Sequence, residues 1–325
     1  MSITLNRDQF LAKEPEIDVT QFRKVLLDLA YANQSPNQIL DIWYPDNEMD
    51  AYPVVVLFHG GAFGTGHKRS FYISSMAKPV LQGYAVVTVE YRLYSEANWP
   101  AQLIDAKAAI RYLRAHAAEF QLDPNRIAVW GNSAGGCVTQ LLATTADNPD
   151  MDDLTVGENA SSAVQAAIAW YSVNDFVTQE QFTTDTCVLR DASGASDGMV
   201  PEDARGSDSP LTKVLGYNPL YYPEKAVIQS PISYVDESCP PMLLQHGTGD
   251  MIVDYHQSVY MYKKVSAICG EDRVKLDLFK AEPHGSQVIK ADKNVTACID
   301  FLDQVFWNGK NPNRKPLTQI KIVES

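Results

Sequence analysis

Residues Ile127 to Gly136 read IAVWGNSAGG, an apolar run that ends abruptly in small residues. Arg126–Trp130 has the look of a short buried strand and Ala134–Ala146 that of a helix built from small side chains. Between them, Gly131-Asn132-Ser133-Ala134-Gly135 matches G-x-S-x-G, in which a serine sits at the apex of a strand-to-helix turn. Such an apex strains the serine backbone and thrusts its hydroxyl above the sheet. Side chains two residues before and after would collide, so glycine occupies both positions. The helix that begins there directs its free N–H groups at developing negative charge. A glycine-rich structural turn could carry the same five letters, but strand–turn–helix context favours Ser133 as a nucleophile.

Working outward, strands and helices alternate. Pro53–Gly61 (PVVVLFHGG) reads as a strand buried on both faces, followed by a strand at Tyr84–Tyr91 and an amphipathic helix at Pro100–Phe120. Further strands are expected at Val164–Tyr171, Pro241–His246 and Val274–Lys280, with helices at Val253–Ile268 and Ser286–Phe306. Lys24–Ala30 and Ile39–Tyr44 are extended segments ahead of them. This alternation implies an α/β fold with a mostly parallel, doubly wound sheet of about eight strands flanked by helices. One domain over 1–325 is expected, with an N-terminal extension at 1–23 that looks helical around Asp8–Lys13. The segment at about 174–237, which contains DASGASDGMVPEDARGSDSP, is too long to be a plain loop in a compact core. It reads as a lid or cap insertion with a helical piece near Leu211–Leu215; a disordered surface excursion is the plainer alternative.

Three more motifs carry chemistry. His59-Gly60-Gly61-Ala62-Phe63 ends the buried strand, where backbone N–H groups can be aimed at an oxyanion. The N–H groups of Gly61, Ala62 and Ala134 are the candidates, and a Gly60–Gly61 pairing stays open. His59 reads as a residue that orders this loop. In Met242–Val253 (MLLQHGTGDMIV) a buried strand leads to Asp250, suited to orient a catalytic imidazole. Asp254, near a helix start, and Asp175 compete for that role, and His246 reads as structural. In Glu282-Pro283-His284-Gly285-Ser286, His284 follows the last strand and comes third in the order Ser, Asp, His. His67, His116 and His256 read as loop or helix-surface residues. Phe63, Tyr94 and Trp99 lie beyond strand C-terminal ends, where they could stack on a substrate ring or simply pack beneath the lid.

Composition narrows the classes. A formal net charge of -13 repels phosphate backbones and argues against a nucleic-acid partner. Five scattered cysteines without a C-x-x-C pair suggest neither a disulfide framework nor a zinc site. Cys137, Cys269 and Cys298, in helical patterns, are expected to be buried thiols. No run is long enough for a membrane span, and the N-terminus lacks a basic start followed by an apolar stretch, so a cytoplasmic protein is expected.

HGGAF, GNSAGG, HGTGD and PHG, in that order, resemble the esterase/lipase group related to hormone-sensitive lipase, of the α/β-hydrolase fold. The closer likeness is to its bacterial carbohydrate-ester branch, the acetylxylan and feruloyl esterase-like proteins. Gly66–Ser70 (GHKRS), Glu90–Leu93 (EYRL) and Ser230–Val235 (SPISYV) add to the resemblance, which covers roughly Asp41 to Phe306. It implies a serine carboxylesterase with Ser133, His284 and Asp250 as its triad, an acyl-enzyme intermediate, and no metal or organic cofactor. The implied partner is a small-molecule ester, short-chain (acetyl-type) or linked to a carbohydrate; a homodimer is left open. Ala62 stands where many relatives have a third glycine, which puts substrate breadth in question. A small-substrate amidase or peptidase, or a non-catalytic binder on the same fold, are the rival readings.

Overall fold

The computed structural model describes residues 14–193 and 209–324. The helical reading at Asp8–Lys13 and most of the Ser/Asp/Gly-rich run of the insertion lie outside the described residues.

Eight strands form the central sheet: β1 (Lys24–Ala30), β2 (Ile39–Tyr44), β3 (Tyr52–Phe58), β4 (Ala85–Val89), β5 (Leu122–Asn132), β6 (Ala166–Trp170), β7 (Met242–Gly247) and β8 (Val274–Phe279). Their order across the sheet is β1-β2-β4-β3-β5-β6-β7-β8. β1 and β2 run antiparallel to their neighbours, and every pairing from β4 to β8 is parallel. A parallel neighbour needs a long crossover, which the intervening helices provide. A two-stranded ribbon, Glu16–Ile17 against Ile322–Val323, ties the N-terminal segment to the C-terminal one.

β3 is buried along its whole length, which explains its unbroken apolar sequence. Val54, Val56 and Phe58 face one core with Leu103 and Ile110 of α1 (Ala101–Ala115) and Leu141 of α2 (Ala134–Thr145). Val55 and Leu57 face the other, with Trp130, Trp170 and, from the closing helix, Ile299 and Leu302. Period-2 alternation thus feeds both layers from one strand.

Among the described residues, the insertion contains the α-helices α3 (Phe176–Ser193), α4 (Pro210–Leu215) and α5 (Pro223–Val227). α4 falls where a helical piece was expected, whereas α3 fills a stretch read as irregular. Its inward positions include Gln179 and Glu180, both buried, so the helix lacks the apolar stripe that advertises one. Asp175 starts it by accepting from the N–H groups of Val177 and Thr178. Glu180 accepts from Ser209 Oγ (2.6 Å), Thr212 Oγ1 (3.3 Å) and Asn218 Nδ2 (3.1 Å), joining α3 to α4 and the loop after it.

Two further expectations are corrected. The closing helix is not continuous: α7 (Gln287–Lys290) and α8 (Asp292–Trp307) flank Ala291, which is extended. The break lets Asn294 turn inward, where its amide exchanges hydrogen bonds with Gln245 of β7 and donates to the Ile289 carbonyl. Of the thiols expected to be buried, Cys137 and Cys298 are; Cys269, at the end of α6 (His256–Cys269), is half-buried and donates to the Asp236 carbonyl. No helix among the described residues is long and apolar enough to cross a membrane.

Because Glu180 gathers three donors from separate parts of the cap, Glu180→Ala leaves them unpaired. Its expected cost is about 1–3 kcal/mol of local stability. Hydrogen exchange should therefore quicken at 176–186 and 210–218 while the amides of β3 and β5 stay protected; unchanged exchange in the cap would refute the role.

Candidate active site

Ser133 stands between β5 and α2 with φ 53° and ψ -121°, a conformation that an L-residue adopts only under constraint. Crossing backbones supply that constraint. A methyl group on Gly131 would lie 2.1 Å from the Gly135 carbonyl oxygen, and one on Gly135 would lie 2.1 Å from that of Phe58. The Ser133 N–H donates to the Trp170 carbonyl at 2.9 Å, which pins the turn to the end of β6.

Asp250 lies on the loop after β7 and is buried. Its Oδ1 accepts from the N–H groups of Ile252 (2.8 Å) and Val253 (2.9 Å). His284 comes from the loop after β8. Its Nδ1 is 2.6 Å from Asp250 Oδ2, and its Nε2 is 3.1 Å from Ser133 Oγ. The carboxylate partner assigns the proton to Nδ1, leaving Nε2 to accept from the serine hydroxyl. Tyr171 packs edge-on against the imidazole, with ring centroids 4.7 Å apart. Burial alone would raise the Asp250 carboxyl, but the hydrogen bonds it accepts from His246 and His284 hold it well below the usual carboxylate range. Asp250 is therefore an anion at neutral pH.

The competing acids are engaged elsewhere. Asp254 accepts from the N–H and pairs with the ring of His256 at the start of α6, and Asp175 starts α3. His67, expected on a loop, is buried there.

The loop after β3 turns tightly, with Gly64 N–H and Thr65 N–H both donating to the Gly61 carbonyl. Ala62 (φ 52°) and Phe63 (φ 60°) join Gly61 in the left-handed region, a second site of backbone strain. The Gly60 N–H donates to Asn132 Oδ1 at 3.0 Å, so the residue before Ser133 anchors this loop. His59 stacks on Tyr91 with centroids 4.5 Å apart, and the Tyr91 hydroxyl donates to the His59 carbonyl. The hydrogen bonds among the described residues include none from the N–H groups of Gly61, Ala62 or Ala134.

Phe63 and Trp99 are buried, packed edge-to-face on each other, and Trp99 packs likewise on Phe176 of α3. Ring packing with each other and, through Trp99, with Phe176 of α3 is what the structure shows for these two. Tyr94 is half-buried beside Gly64. The sequence reading missed two links: Gln179 of α3, which donates to the Ile252 carbonyl and accepts from Asp254 N–H, and the contact of His246 with Asp250. The HGTGD motif held the second in plain view.

The jammed elbow makes a stability prediction. Gly135→Ala should cost about 1–3 kcal/mol, because its methyl meets backbone and not a movable side chain. A denaturant midpoint equal to that of the wild type would contradict the packing described.

Comparison with known proteins agrees with this architecture. The chain is 28% identical over 274 residues to the esterase LipC of Mycobacterium tuberculosis, covering 83% of this chain and 63% of that protein. It spans between 49% and 63% of the length of the three mycobacterial esterases first matched. A truncated carbohydrate esterase from gut microbiota superposes with a TM-score of 0.72 at 26% identity, over 90% of this chain and 99% of that one. A bifunctional GH43-CE protein of Bacteroides eggerthii superposes at 0.71 and 27%, over 86% of this chain and 35% of that one. The BD-FAE family model matches residues 40–265, and with the α/β-hydrolase architecture around them the chain belongs to that family.

Proposed function

We propose that this chain hydrolyses carboxylic esters, with Ser133 as nucleophile, His284 as base and acid, and Asp250 orienting the imidazole. The observation that carries the reading is the His284 ring spanning 3.1 Å to Ser133 Oγ and 2.6 Å to Asp250 Oδ2. His284 Nε2 takes the serine proton as Oγ attacks the ester carbonyl, and the buried Asp250 anion stabilises the imidazolium that forms. The imidazolium then protonates the leaving alcohol, and water repeats the sequence to release the acid.

The oxyanion is assigned to the N–H groups of Gly61, Ala62 and Ala134. Support against the Gly60–Gly61 pairing comes from the Gly60 N–H, already committed to Asn132. The substrate class we assign is a short acyl ester, acetyl-type or borne on a carbohydrate. Two observations favour it: the structural neighbours include a protein named a carbohydrate esterase, and buried Phe63, Trp99 and Phe176 fill space next to the oxyanion loop. Tyr94, half-buried next to that loop, is the ring we assign to line the substrate.

A fluorophosphonate probe should label the wild type and spare Ser133→Ala. That variant should lose p-nitrophenyl acetate turnover by on the order of 10⁴–10⁶-fold, and Asp250→Asn by on the order of 10⁴-fold. Wild-type turnover should fall from acetyl to longer acyl esters and include acetylated xylo-oligosaccharides. Full activity in Ser133→Ala would overturn the mechanism, and equal turnover of long-chain lipids would overturn the substrate class.

A further inference from the structure

His246 is the penultimate residue of β7, four residues before Asp250, and both side chains are fully buried. Its Nε2 lies 3.2 Å from Asp250 Oδ2 and 3.1 Å from the Val253 carbonyl oxygen. Both neighbours are acceptors, so Nε2 carries the proton. Nδ1 lies 2.8 Å from Ser258 Oγ on α6, and that hydroxyl can donate to it. The neutral ring is thus satisfied at both nitrogens, and Ser258 covers the lone pair that a second proton would need. The oxygen that His246 touches is the one that accepts from His284 Nδ1. With Oδ1 held by Ile252 and Val253 N–H groups, the Asp250 carboxylate has four donors, two of them imidazoles sharing one oxygen.

We infer that His246 is a positioning residue for the acid–base pair: its neutral Nε2–H fixes the rotation of the Asp250 carboxylate and tempers how firmly Oδ2 holds the proton of His284. This rests on the triad assignment above. A carboxylate with one fewer donor concentrates more charge on Oδ2 and stabilises the imidazolium further, so the base would be protonated at higher pH. The other groups facing this cluster are accounted for. Tyr171, from the end of β6, meets the His284 ring; Asp254 and His256, leading into α6, pair with each other; Glu282, before His284, accepts from Ser286. Glu180, on the cap helix next to Gln179, is occupied by Ser209, Thr212 and Asn218.

Three substitutions separate this role from simple packing. His246→Phe keeps ring volume and removes both nitrogens. His246→Gln can place an amide N–H where Nε2 stands, and His246→Asn, one methylene shorter, places its amide near Ser258 instead. The acid limb of kcat/KM for p-nitrophenyl acetate should move up by roughly 0.4–1 pH unit in the Phe and Asn variants, the size of one hydrogen bond. Their kcat at neutral pH should drop roughly 10-fold with KM nearly constant, as expected of a misaligned base. The Gln variant should keep the wild-type limb and most of kcat. If the Phe variant does not fold, the Asn and Gln pair decides. Identical pH limbs in Asn, Gln and wild type, with Ser133→Ala inactive, would overturn the positioning role and leave the triad standing; an active Ser133→Ala would remove the triad itself.

Discussion

The backbone at Ser133 is held at a positive φ by three chain segments that meet where no side chain fits. β5 arrives, α2 departs, and the end of β3 passes so close that Gly135 faces the Phe58 carbonyl. That crossing is a consequence of sheet order: β3 lies beside β5, and the loop that follows β3 emerges next to Ser133. The loop after β3 and the turn at Ser133 are therefore one construction. Asn132 makes the link explicit, since its side chain accepts from the Gly60 N–H while the hydroxyl of its neighbour Ser133 meets His284 Nε2. Strain at Ala62, Phe63 and Ser133 accumulates in one place because the sheet on either side is rigid enough to hold it.

A buried anion is the second constraint. Taking the Asp250 carboxylate out of water is costly unless donors replace the lost solvent, and two backbone N–H groups and two imidazoles do so. The loop that carries it has little freedom, because Gln179 from the cap bonds to both Ile252 and Asp254. Asn174, next to that helix, donates its backbone N–H to the side-chain oxygen and its side-chain amide to the carbonyl of Gln257 of α6. The base of the insertion thus shares one polar network with the loop that carries Asp250.

Much of this was legible in the letters. The central strands announce themselves through apolar runs such as VVVLF and MLL, and Ser133, Asp250 and His284, which the structure brings within hydrogen-bond distance in series, through motifs that follow strands. What escaped has a common physical cause, namely polar residues doing the packing. α3 buries Gln179 and Glu180 where an apolar stripe was sought, so periodicity saw nothing. The break at Ala291 serves Asn294, a polar contact to β7 that no hydrophobic pattern encodes. His246 was visible, but a histidine at a strand end looks the same whether it fills space or feels a neighbouring charge. For Phe63 and Trp99 the sequence left a ligand face and plain packing both open, and the rings pack against each other and, through Trp99, against Phe176 of α3.

These failures bear on how the chemistry is built. A catalytic base must switch protonation during each turnover, so its surroundings have to favour neither state strongly. One buried carboxylate pressed against one imidazole would favour the cation. Distributing that carboxylate over four donors lessens the bias, and a neutral second imidazole does so without introducing another charge. Ser258 is the quiet requirement, since without a donor at Nδ1 the buried His246 ring would leave a polar atom unsatisfied. The same polar packing that hides from sequence patterns is what allows a charged acid to sit deep in the fold and still leave its partner free to exchange a proton.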